Sequence, residues 1–336
     1  MEAYIGKCLD SLLIPEFDAV EVLVVNDGSK DRSSEIAHSY ADRYPGSIRV
    51  IDKPNGNYGS CINAALPLAT GRYIKVLDAD DTFDTAAFSS FVRLLPSIND
   101  DVVITSYTSV NEKGEPIKHH DFSKWNVECD STYYTKDALS RFLFRYIDMH
   151  RITYSRKIFE ALDYHQTEGI SYTDTEWSII PMSECGCFRC LDLPVYLYLE
   201  GREGQTMTPA NLSRNISSLF TVLCKVTEYY NNLKTNNPKR RILYNHIRNR
   251  HKTVYFIAIA ANSPIAYKLL ETYELYLKEH CPDIFEAVGN IYYTPAVKFR
   301  IFKDLRKKDY PLNYKVPIWV KAMVAISAKL KNVFHV

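Results

Sequence analysis

The sequence predicts an α/β fold, with a mainly parallel sheet flanked by helices and a helical C-terminal region. Over the first two hundred residues or so, apolar strand-like segments alternate with helical segments, which is typical of βαβ units with right-handed crossovers. Beyond about residue 205, helical segments with proline near their starts follow one another, without an apparent strand. A chain of 336 residues also suits about two domains. We therefore place an α/β domain at 1–205 and a helical region at 206–336.

Each predicted element follows from a local pattern of residues. Val20–Val25 is a continuous apolar run of the kind found in buried parallel strands, and Asn26–Ser29 ends it before a helix that Asp31 or Ser33 caps. Pro67 bends or ends the next helix. The further strands are Ser47–Ile51, Tyr73–Leu77, Val102–Val110 and Ile152–Tyr154. The further helices are Tyr58–Ala69, Thr85–Leu95, Pro209–Leu233, Pro238–Ala261 and Pro264–Glu279.

Composition narrows the class of protein. Hydrophobic residues make up 46% and charged residues 24%, which is typical of a folded globular chain and not of a disordered one. The net charge of +1 argues against nucleic-acid binding over the whole surface. No apolar run approaches the length of about 18 residues that a spanning helix needs, and no secretory signal is apparent. We expect a cytoplasmic protein.

Two acidic segments follow predicted strands. Asp27 comes after the first strand, and Asp78-Ala79-Asp80 comes after the third. In open α/β sheets, ligands bind beyond the carboxyl ends of the strands. Carboxylates held that close repel one another, and a hard divalent cation that also binds a diphosphate would compensate them. The alternatives are a solvated acidic turn and, for Asp27, a turn or helix cap.

These segments resemble those of the family 2 glycosyltransferases. The matching segments are Leu23–Ser29 with Asp31, Asn55–Gly59 with Asn63 and Ala64, Ala69–Asp81, and Gly201–Thr206 without residue 203. Their order and spacing also fit, and together they cover residues 1 to about 207. The resemblance implies a GT-A (Rossmann-like) fold that uses a nucleotide-activated sugar, and it leaves the helical tail unmatched.

The resemblance also implies a role for each matching residue. Asp27 would hydrogen-bond the base or ribose of the nucleotide, and Gly28 and Asn55 would also belong to the nucleotide-binding site. Asp78 would contact the ribose or lie behind the metal ligands. Asp80 would ligate Mn²⁺ or Mg²⁺, which bridges the diphosphate and stabilises the leaving group. The expected donor is a UDP-sugar.

An inverting transfer needs a base for the acceptor hydroxyl. Family members place an Asp about a hundred residues beyond Asp-x-Asp, at the start of a helix. Here Asp174 is the first choice and Glu176 the second, although the family more often has adjacent Glu-Asp. The alternative is that Thr173 and Asp174 cap a helix running to Ser183.

Four further side chains are candidates near the acceptor. Trp177 either stacks on an acceptor sugar or, as we favour, lies in the core. Arg202 would meet a phosphate of the donor or of a lipid-diphosphate acceptor. His150, with Arg151 after it, either lines the acceptor groove or lies on the surface.

The chain departs from the family at its start. The family begins with a central apolar strand, whereas Glu2–Leu13 matches the helix that follows that strand. Without the strand, its two neighbours would each lack a ladder partner. We hypothesise that Met1 is an internal residue of a longer natural chain, which the intact mass from the native source would test.

The C-terminal segment Val316–Val336 has apolar residues at helical spacing, and basic residues crowd Lys298–Lys308 before it. This pattern predicts an interfacial helix on anionic lipid or, alternatively, a helix packed on the domain.

The whole pattern predicts a metal-dependent inverting glycosyltransferase for bacterial surface polysaccharide. It would act on the inner face of the membrane, with a saccharide or lipid-linked acceptor and no nucleic acid. One alternative is a non-catalytic homologue that binds nucleotide or a partner enzyme. The other is a nucleotidyltransferase, which the absence of a Gly-rich phosphate loop disfavours.

Overall fold

The structure, a computed structural model, describes residues 1–125, 127–134, 147–202, 209–237, 239–294 and 297–323. The side chains of residues 209, 210, 212 and 242 are not described. The chain divides into two compact units. The first comprises 1–206 with 238–243, and the second comprises 207–237 with 244–336.

The first unit contains the predicted alternation of strands and helices. Its strands are β1 (Val22–Asp27), β2 (Ile48–Lys53), β3 (Tyr73–Ile74), β4 (Thr82–Phe83), β5 (Val102–Val110), β6 (Pro116–His120), β7 (Thr132–Tyr134), β8 (Ile152–Ser155) and β9 (Cys187–Leu199). Its helices are α1 (Ile5–Asp10), α2 (Ser33–Arg43), α3 (Asn57–Ala65), α4 (Thr85–Leu94), α5 (Lys157–Ala161) and α6 (Asp174–Ile179). Short 3₁₀ helices lie at Phe17–Ala19, Leu66–Leu68, Leu95–Ser97, Met149–Arg151 and Pro181–Glu184.

The sheet is mixed, so the prediction of a mainly parallel sheet is wrong. Strand β1 pairs in parallel with β2, and β5 pairs in parallel with β9. The pairs β3–β8, β5–β8, β4–β9, β5–β6 and β7–β9 are antiparallel. The antiparallel pairing of β5 with β6 has a local cause. The Asn111 side chain accepts hydrogen bonds from the backbone N–H groups of Lys113 and Glu115, in a turn that reverses the chain after β5.

The sheet is also divided. Within the described residues, β1 pairs only with β2 and β3 pairs only with β8, and the larger sheet runs in the order β3-β8-β5-β9-β4. We expected the two neighbours of a missing strand to lack a ladder partner, and β1 and β3 each pair with a single strand among the described residues. All six residues of β1 are half-buried. Strand β3 is shorter than Tyr73–Leu77, so the acidic segment lies in irregular backbone.

Aromatic side chains build the core of the first unit. Trp177 is 1% exposed, stacks on Phe159 at 5.1 Å between ring centroids, and meets Tyr154 edge-on at 5.3 Å. The expectation that Trp177 lies in the core is confirmed. Helix α3 stops at Ala65 and gives way to a 3₁₀ turn containing Pro67, as predicted for a proline that ends a helix.

The described part of the C-terminal region consists of helices joined by turns and loops, with an isolated bridge between Thr294 and Val297. The helices are α7 (Pro209–Arg214), α8 (Ile216–Asn232), α9 (Lys239–Ala261), α10 (Pro264–His280), α11 (Pro282–Gly289) and α12 (Ile301–Lys307). The single helix predicted over Pro209–Leu233 is therefore two helices. In the second unit, buried Glu274 accepts from Tyr255 and is ion-paired with Arg306.

Candidate active site

The end of β1 brings three of the predicted site residues together. The Asp27 carboxylate accepts hydrogen bonds from the backbone N–H groups of Gly56 at 2.9 Å and Asn57 at 2.8 Å. The Asn55 side-chain amide donates to the Asp27 carbonyl at 3.0 Å and to its carboxylate at 3.1 Å. Gly28 has φ +72°, and a Cβ there would lie 3.0 Å from the Asn55 nitrogen, so glycine fits this turn best.

Lys53 gives the Asp27 pocket a fixed positive charge. Its Nζ lies 2.7 Å from Asp27 Oδ1 and 2.7 Å from the Ser60 hydroxyl. Burial raises the pKa of Asp27, but the Lys53 ammonium and the Gly56 and Asn57 amides outweigh burial and hold the pKa below its usual value. Asp27 is therefore an ionised carboxylate that accepts hydrogen bonds from several donors.

A second cluster lies at the acidic segment after β3. One ligand atom from each of Asp78, Asp81 and His150 lies within 4.8 Å of the others. Asp81 is 2% exposed, and its carboxylate accepts from the Tyr196 hydroxyl at 2.6 Å and the Leu199 N–H at 2.7 Å. These bonds anchor the cluster to β9.

Electrostatics in this cluster favour a bound cation. Burial, then the charges of Asp81, Asp80 and Asp174, raise the pKa of Asp78 well above its usual value. Burial is also the main reason that the pKa of Asp81 rises to about 7. Crowded carboxylates of this kind are stabilised when a divalent cation binds them.

His150 completes a donor set that fits such an ion. Burial, then the positive charges of Lys75, His120 and Arg151, lower the pKa of His150 to about 3, so its ring is neutral and offers a lone pair. Its Nδ1 is buried and has no hydrogen-bond partner in the described part of the chain. Two carboxylates and a neutral imidazole suit Mn²⁺, and the carboxylates alone suit Mg²⁺.

Asp80 faces a different partner. Its Oδ2 lies 2.5 Å from Nε of Arg202, and the two side chains are 17% and 19% exposed. The structure thus brings Arg202 to the acidic segment. Metal ligation by Asp80 stays a prediction, as does a phosphate contact for Arg202. Residues 204–206 of the matching segment lie outside the described residues.

The two candidate bases have different surroundings. Helix α6 begins at Asp174, which is half-buried and is one of the charges that raise the pKa values of Asp78 and Asp148. Glu176 is buried, and its Oε2 accepts from the Thr167 N–H at 3.0 Å. The surroundings favour Asp174 for chemistry and Glu176 for holding a loop.

The capping alternative is corrected in two details. Thr173 is the residue before α6, but its side chain makes no capping hydrogen bond. The α-helix ends at Ile179 rather than at Ser183, and a 3₁₀ turn that begins at Pro181 follows it. Tyr172 has φ +69°, a strained conformation for a bulky residue, directly before this helix start.

A polar network joins helix α3, beside the Asp27 pocket, to the start of α6. Asn63 accepts from the Gln166 N–H at 2.9 Å and donates to the Gln166 carbonyl at 2.9 Å. The Gln166 amide in turn donates to the Thr173 carbonyl at 2.7 Å. A Cβ on Gly59 would lie 2.0 Å from the Thr167 carbonyl oxygen, so only glycine allows this approach.

Sequence reasoning gave no role to Lys53 or Asp81 and did not place His150 with the acidic segment. Lys53 lies two residues before the segment Asn55–Gly59 and Asp81 ends the segment Ala69–Asp81, and those positions were a usable signal. His150 lies about seventy residues from Asp78 without a diagnostic spacing, and the sequence suggested only a groove or surface position for it. The His150 ring packs against the rings of Tyr198 and Tyr196, with centroid distances of 4.5 Å and 4.8 Å.

Comparison with known proteins identifies the domain. Residues 2–163 match the model of the family described as "Glycosyl transferase family 2". Residues 2–163 are a family 2 glycosyltransferase domain. This match contains β1, the Asp27 pocket and the Asp78–Asp81–His150 cluster, so the family resemblance is confirmed for the three motifs within it, whereas Gly201–Thr206 lies outside the match.

Curated relatives of this family 2 domain are bacterial. The chain is 29% identical over 212 residues to "Uncharacterized glycosyltransferase EpsJ" of Bacillus subtilis (strain 168), covering 62% of this chain and 61% of that one. It is 28% identical over 161 residues to "Minor teichoic acid biosynthesis protein GgaB" of the same organism, covering 43% and 18%. The chain therefore spans less than two thirds of the length of these relatives.

Solved structures share the fold. A crystal structure of S. aureus TarS 1–349 in complex with UDP-GlcNAc matches with a TM-score of 0.57 at 17% identity, over 94% of this chain and 91% of that one. The GT-A-like α/β fold expected for the family 2 domain is thus confirmed, with a mixed sheet. Among the described residues, no helix has the length and apolarity needed to span a membrane.

Proposed function

We propose that this chain is an inverting, metal-dependent glycosyltransferase that uses a nucleotide-sugar, with catalysis in residues 1–205. The observation that carries the proposal is the Asp78–Asp81–His150 cluster, with Asp80 beside it, inside a family 2 domain. Titratable groups crowded at a strand end are characteristic of sites that bind metal and diphosphate.

Each residue has a distinct task in this proposal. Asp27 and Asn55 hold the nucleoside, with Gly28 leaving room at the turn. Asp78, Asp80, Asp81 and His150 supply ligands for Mn²⁺ or Mg²⁺, which neutralises charge on the leaving diphosphate when bound. Arg202 offers a guanidinium to a phosphate once it leaves Asp80.

Asp174 is the proposed base. It accepts the proton of the acceptor hydroxyl as that oxygen attacks the sugar carbon and the nucleoside diphosphate leaves from the opposite face. A half-buried carboxylate at the start of a helix suits this role. Glu176 has a positioning role, because it holds the Thr167 loop.

A UDP-sugar donor is supported by the UDP-GlcNAc complex of TarS, and surface polysaccharide synthesis by the name of GgaB. The acceptor is a saccharide or a lipid-linked saccharide on the cytosolic face of the membrane. A half-buried aromatic ring that could contact a sugar lies beside the cluster, because the Tyr198 ring lies 4.5 Å from the His150 ring between centroids.

The test combines calorimetry with product analysis. Wild type should bind UDP more tightly with Mn²⁺, and Asp80→Asn and His150→Ala should each lose the metal-dependent part. A panel of donors should then release UDP from one sugar, whereas a nucleotidyltransferase would release pyrophosphate. Folded protein that neither binds UDP nor releases it would refute the proposal.

The second candidate is a non-catalytic homologue that binds nucleotide or a partner enzyme. It is favoured by the division of the sheet between β1 and β3 and by the ion pair that occupies Asp80. UDP binding with no turnover for any donor, at a level unchanged by Asp174→Asn, would support this candidate.

A further inference from the structure

The last described segment of the second unit exposes an apolar helix face. Residues 318–323 are helical, and Ile318, Trp319 and Met323 are 87%, 54% and 48% exposed. At about 100° per residue, Ile318, Ala322, Trp319 and Met323 occupy one continuous arc of the helix. Val320 lies outside this arc and is fully buried. The helix is therefore held to the unit through Val320 while its apolar arc faces solvent.

Basic residues crowd the sequence around this arc. Residues 298–323 contain eight basic and two acidic residues, although the net charge of the whole chain is only +1. The exposed basic side chains are Lys298, Arg300, Lys303, Lys307, Lys308, Lys315 and Lys321. One of the two acids, Asp304, is engaged by Lys308 and the Tyr314 hydroxyl. The segment is thus strongly cationic.

Trp319 is exposed to solvent but is also held by a contact within the unit. Its ring meets Phe299 edge-on at 5.6 Å, and more than half of its surface remains exposed. Tryptophan at an apolar–polar boundary is typical of groups that lie at the level of lipid headgroups. A short apolar arc bordered by lysines is the pattern of an interfacial helix, which lies in the membrane plane.

We propose that this face, the apolar arc of residues 318–323 with the basic residues of 298–321, docks on an anionic lipid surface. Both the apolar arc and the basic residues are needed. Burial of the arc drives the helix into the membrane interface, and the lysines make binding selective for negatively charged headgroups. The residues 324–336 that follow lie outside the described part of the chain. The inference is independent of whether the first unit is catalytic.

The experiment uses the full chain with vesicles of phosphatidylcholine alone or with phosphatidylglycerol added, in a flotation assay at low and high salt. Wild type should float with anionic vesicles, weakly with neutral ones, and less in high salt. Trp319 is one of three tryptophans, and its emission should shift to the blue on binding. Trp319→Phe should remove that shift.

Two sets of variants separate the components. The triple change Ile318→Glu, Trp319→Glu and Met323→Glu should abolish flotation. The triple change Lys303→Gln, Lys307→Gln and Lys321→Gln should lower the anionic-vesicle partition coefficient by roughly a hundredfold at low salt. The matched control is Ile265→Glu with Leu275→Glu on α10, whose side chains are 68% and 61% exposed, and it should float like wild type.

Several results would overturn the proposal. One such result is wild type that stays unbound at low salt, and another is an α10 control that loses flotation as much as the arc variant. Protection of Trp319 from an aqueous quencher without lipid would show that another part of the chain covers the arc. A dimer in light scattering that dissociates in the arc variant would make the face a contact between copies.

Discussion

Nε of Arg202 lies 2.5 Å from Oδ2 of Asp80, although the two residues are 122 positions apart. This ion pair places a cation against the acidic segment that follows β3. If Asp80 ligates a divalent ion as proposed, Arg202 and the metal compete for one carboxylate. The pair therefore connects the two motifs that most strongly indicated a nucleotide-sugar site.

The first prediction follows from that competition. Arg202→Gln should tighten Mn²⁺ binding in the absence of nucleotide by about fivefold, equivalent to about 1 kcal/mol for a partly screened charge. Titration followed by electron paramagnetic resonance measures it. Arg189→Gln is the control, because Arg189 pairs with Asp100 at 3.0 Å instead. Unchanged or weaker Mn²⁺ binding in Arg202→Gln would contradict the competition.

The second prediction separates the two acids of α6. Asp174→Asn should lower turnover by about 10²–10⁴-fold while UDP binding stays within about twofold, as expected for loss of a base. Glu176→Gln should act mainly on stability, since Glu176 holds the Thr167 N–H. Steady-state kinetics and denaturant unfolding distinguish them. Equal losses of turnover without a loss of stability in Glu176→Gln would reverse the assignment.

The third prediction concerns the ionised Asp27. Asp27→Asn should reduce the free energy of unfolding by about 1–3 kcal/mol at pH 7, because a charged acceptor of several donors is lost. The pKa of Asp27 is lowered in the folded state, so its contribution is present above its usual pKa and is lost as the pH falls through the folded value.

Urea unfolding from pH 7 down to pH 3 checks this. The difference between wild type and Asp27→Asn should shrink below about pH 4, near the ordinary pKa of aspartate. Asp42→Asn is the exposed control on α2 and should show no such difference. A gap that stays constant to pH 3 would mean that the effect does not come from ionisation.

The fourth prediction tests the approach of α3 to the Thr167 loop. Gly59→Ala should lower the free energy of unfolding by about 2–3 kcal/mol, since the new Cβ would lie 2.0 Å from a carbonyl oxygen that cannot retreat easily. Gly6→Ala is the control, because nothing lies within 4 Å of a Cβ there. Thermal unfolding of both variants measures this. Equal stability of Gly59→Ala and Gly6→Ala would contradict the prediction.

The fifth prediction is a pH dependence in the second unit. His246 is 1% exposed, neither ring nitrogen has a hydrogen-bond partner in the described residues, and burial lowers its pKa to about 4. The unfolded chain takes up the proton near pH 6.5, so stability should fall as the pH drops from about 6.5 to 4 and then level off.

His246→Leu should flatten that fall and should be more stable than wild type at pH 5, by about 1–3 kcal/mol, because an unsatisfied polar ring is replaced by an apolar side chain. Denaturant unfolding at pH 7.5 and 5 measures it. His280→Gln alters an exposed histidine and should follow the wild-type profile. A His246→Leu profile parallel to wild type would show that other groups cause the pH dependence.

Much of the fold was predictable because its signals are local. The strand Val102–Val110 has the predicted bounds, and all of its residues except Thr108 are buried. Ser263 accepts from the Ala266 N–H at the start of α10, where Pro264 marked a helix start. Asp27, Gly28 and Asn55, each assigned to the nucleotide from its motif, lie together because the parallel strands β1 and β2 end side by side at Asp27 and Lys53.

The sequence by itself determined the alternation of elements, the acidic strand ends and the family of the first domain, because each depends on residues near one another in the chain. Only the tertiary structure decided the sheet direction, the pairing of Arg202 with Asp80, and the place of His150 beside Asp78 and Asp81. Those relationships join residues far apart in sequence. They depend on how β5, β8 and β9 pack in space, which no local period or spacing encodes.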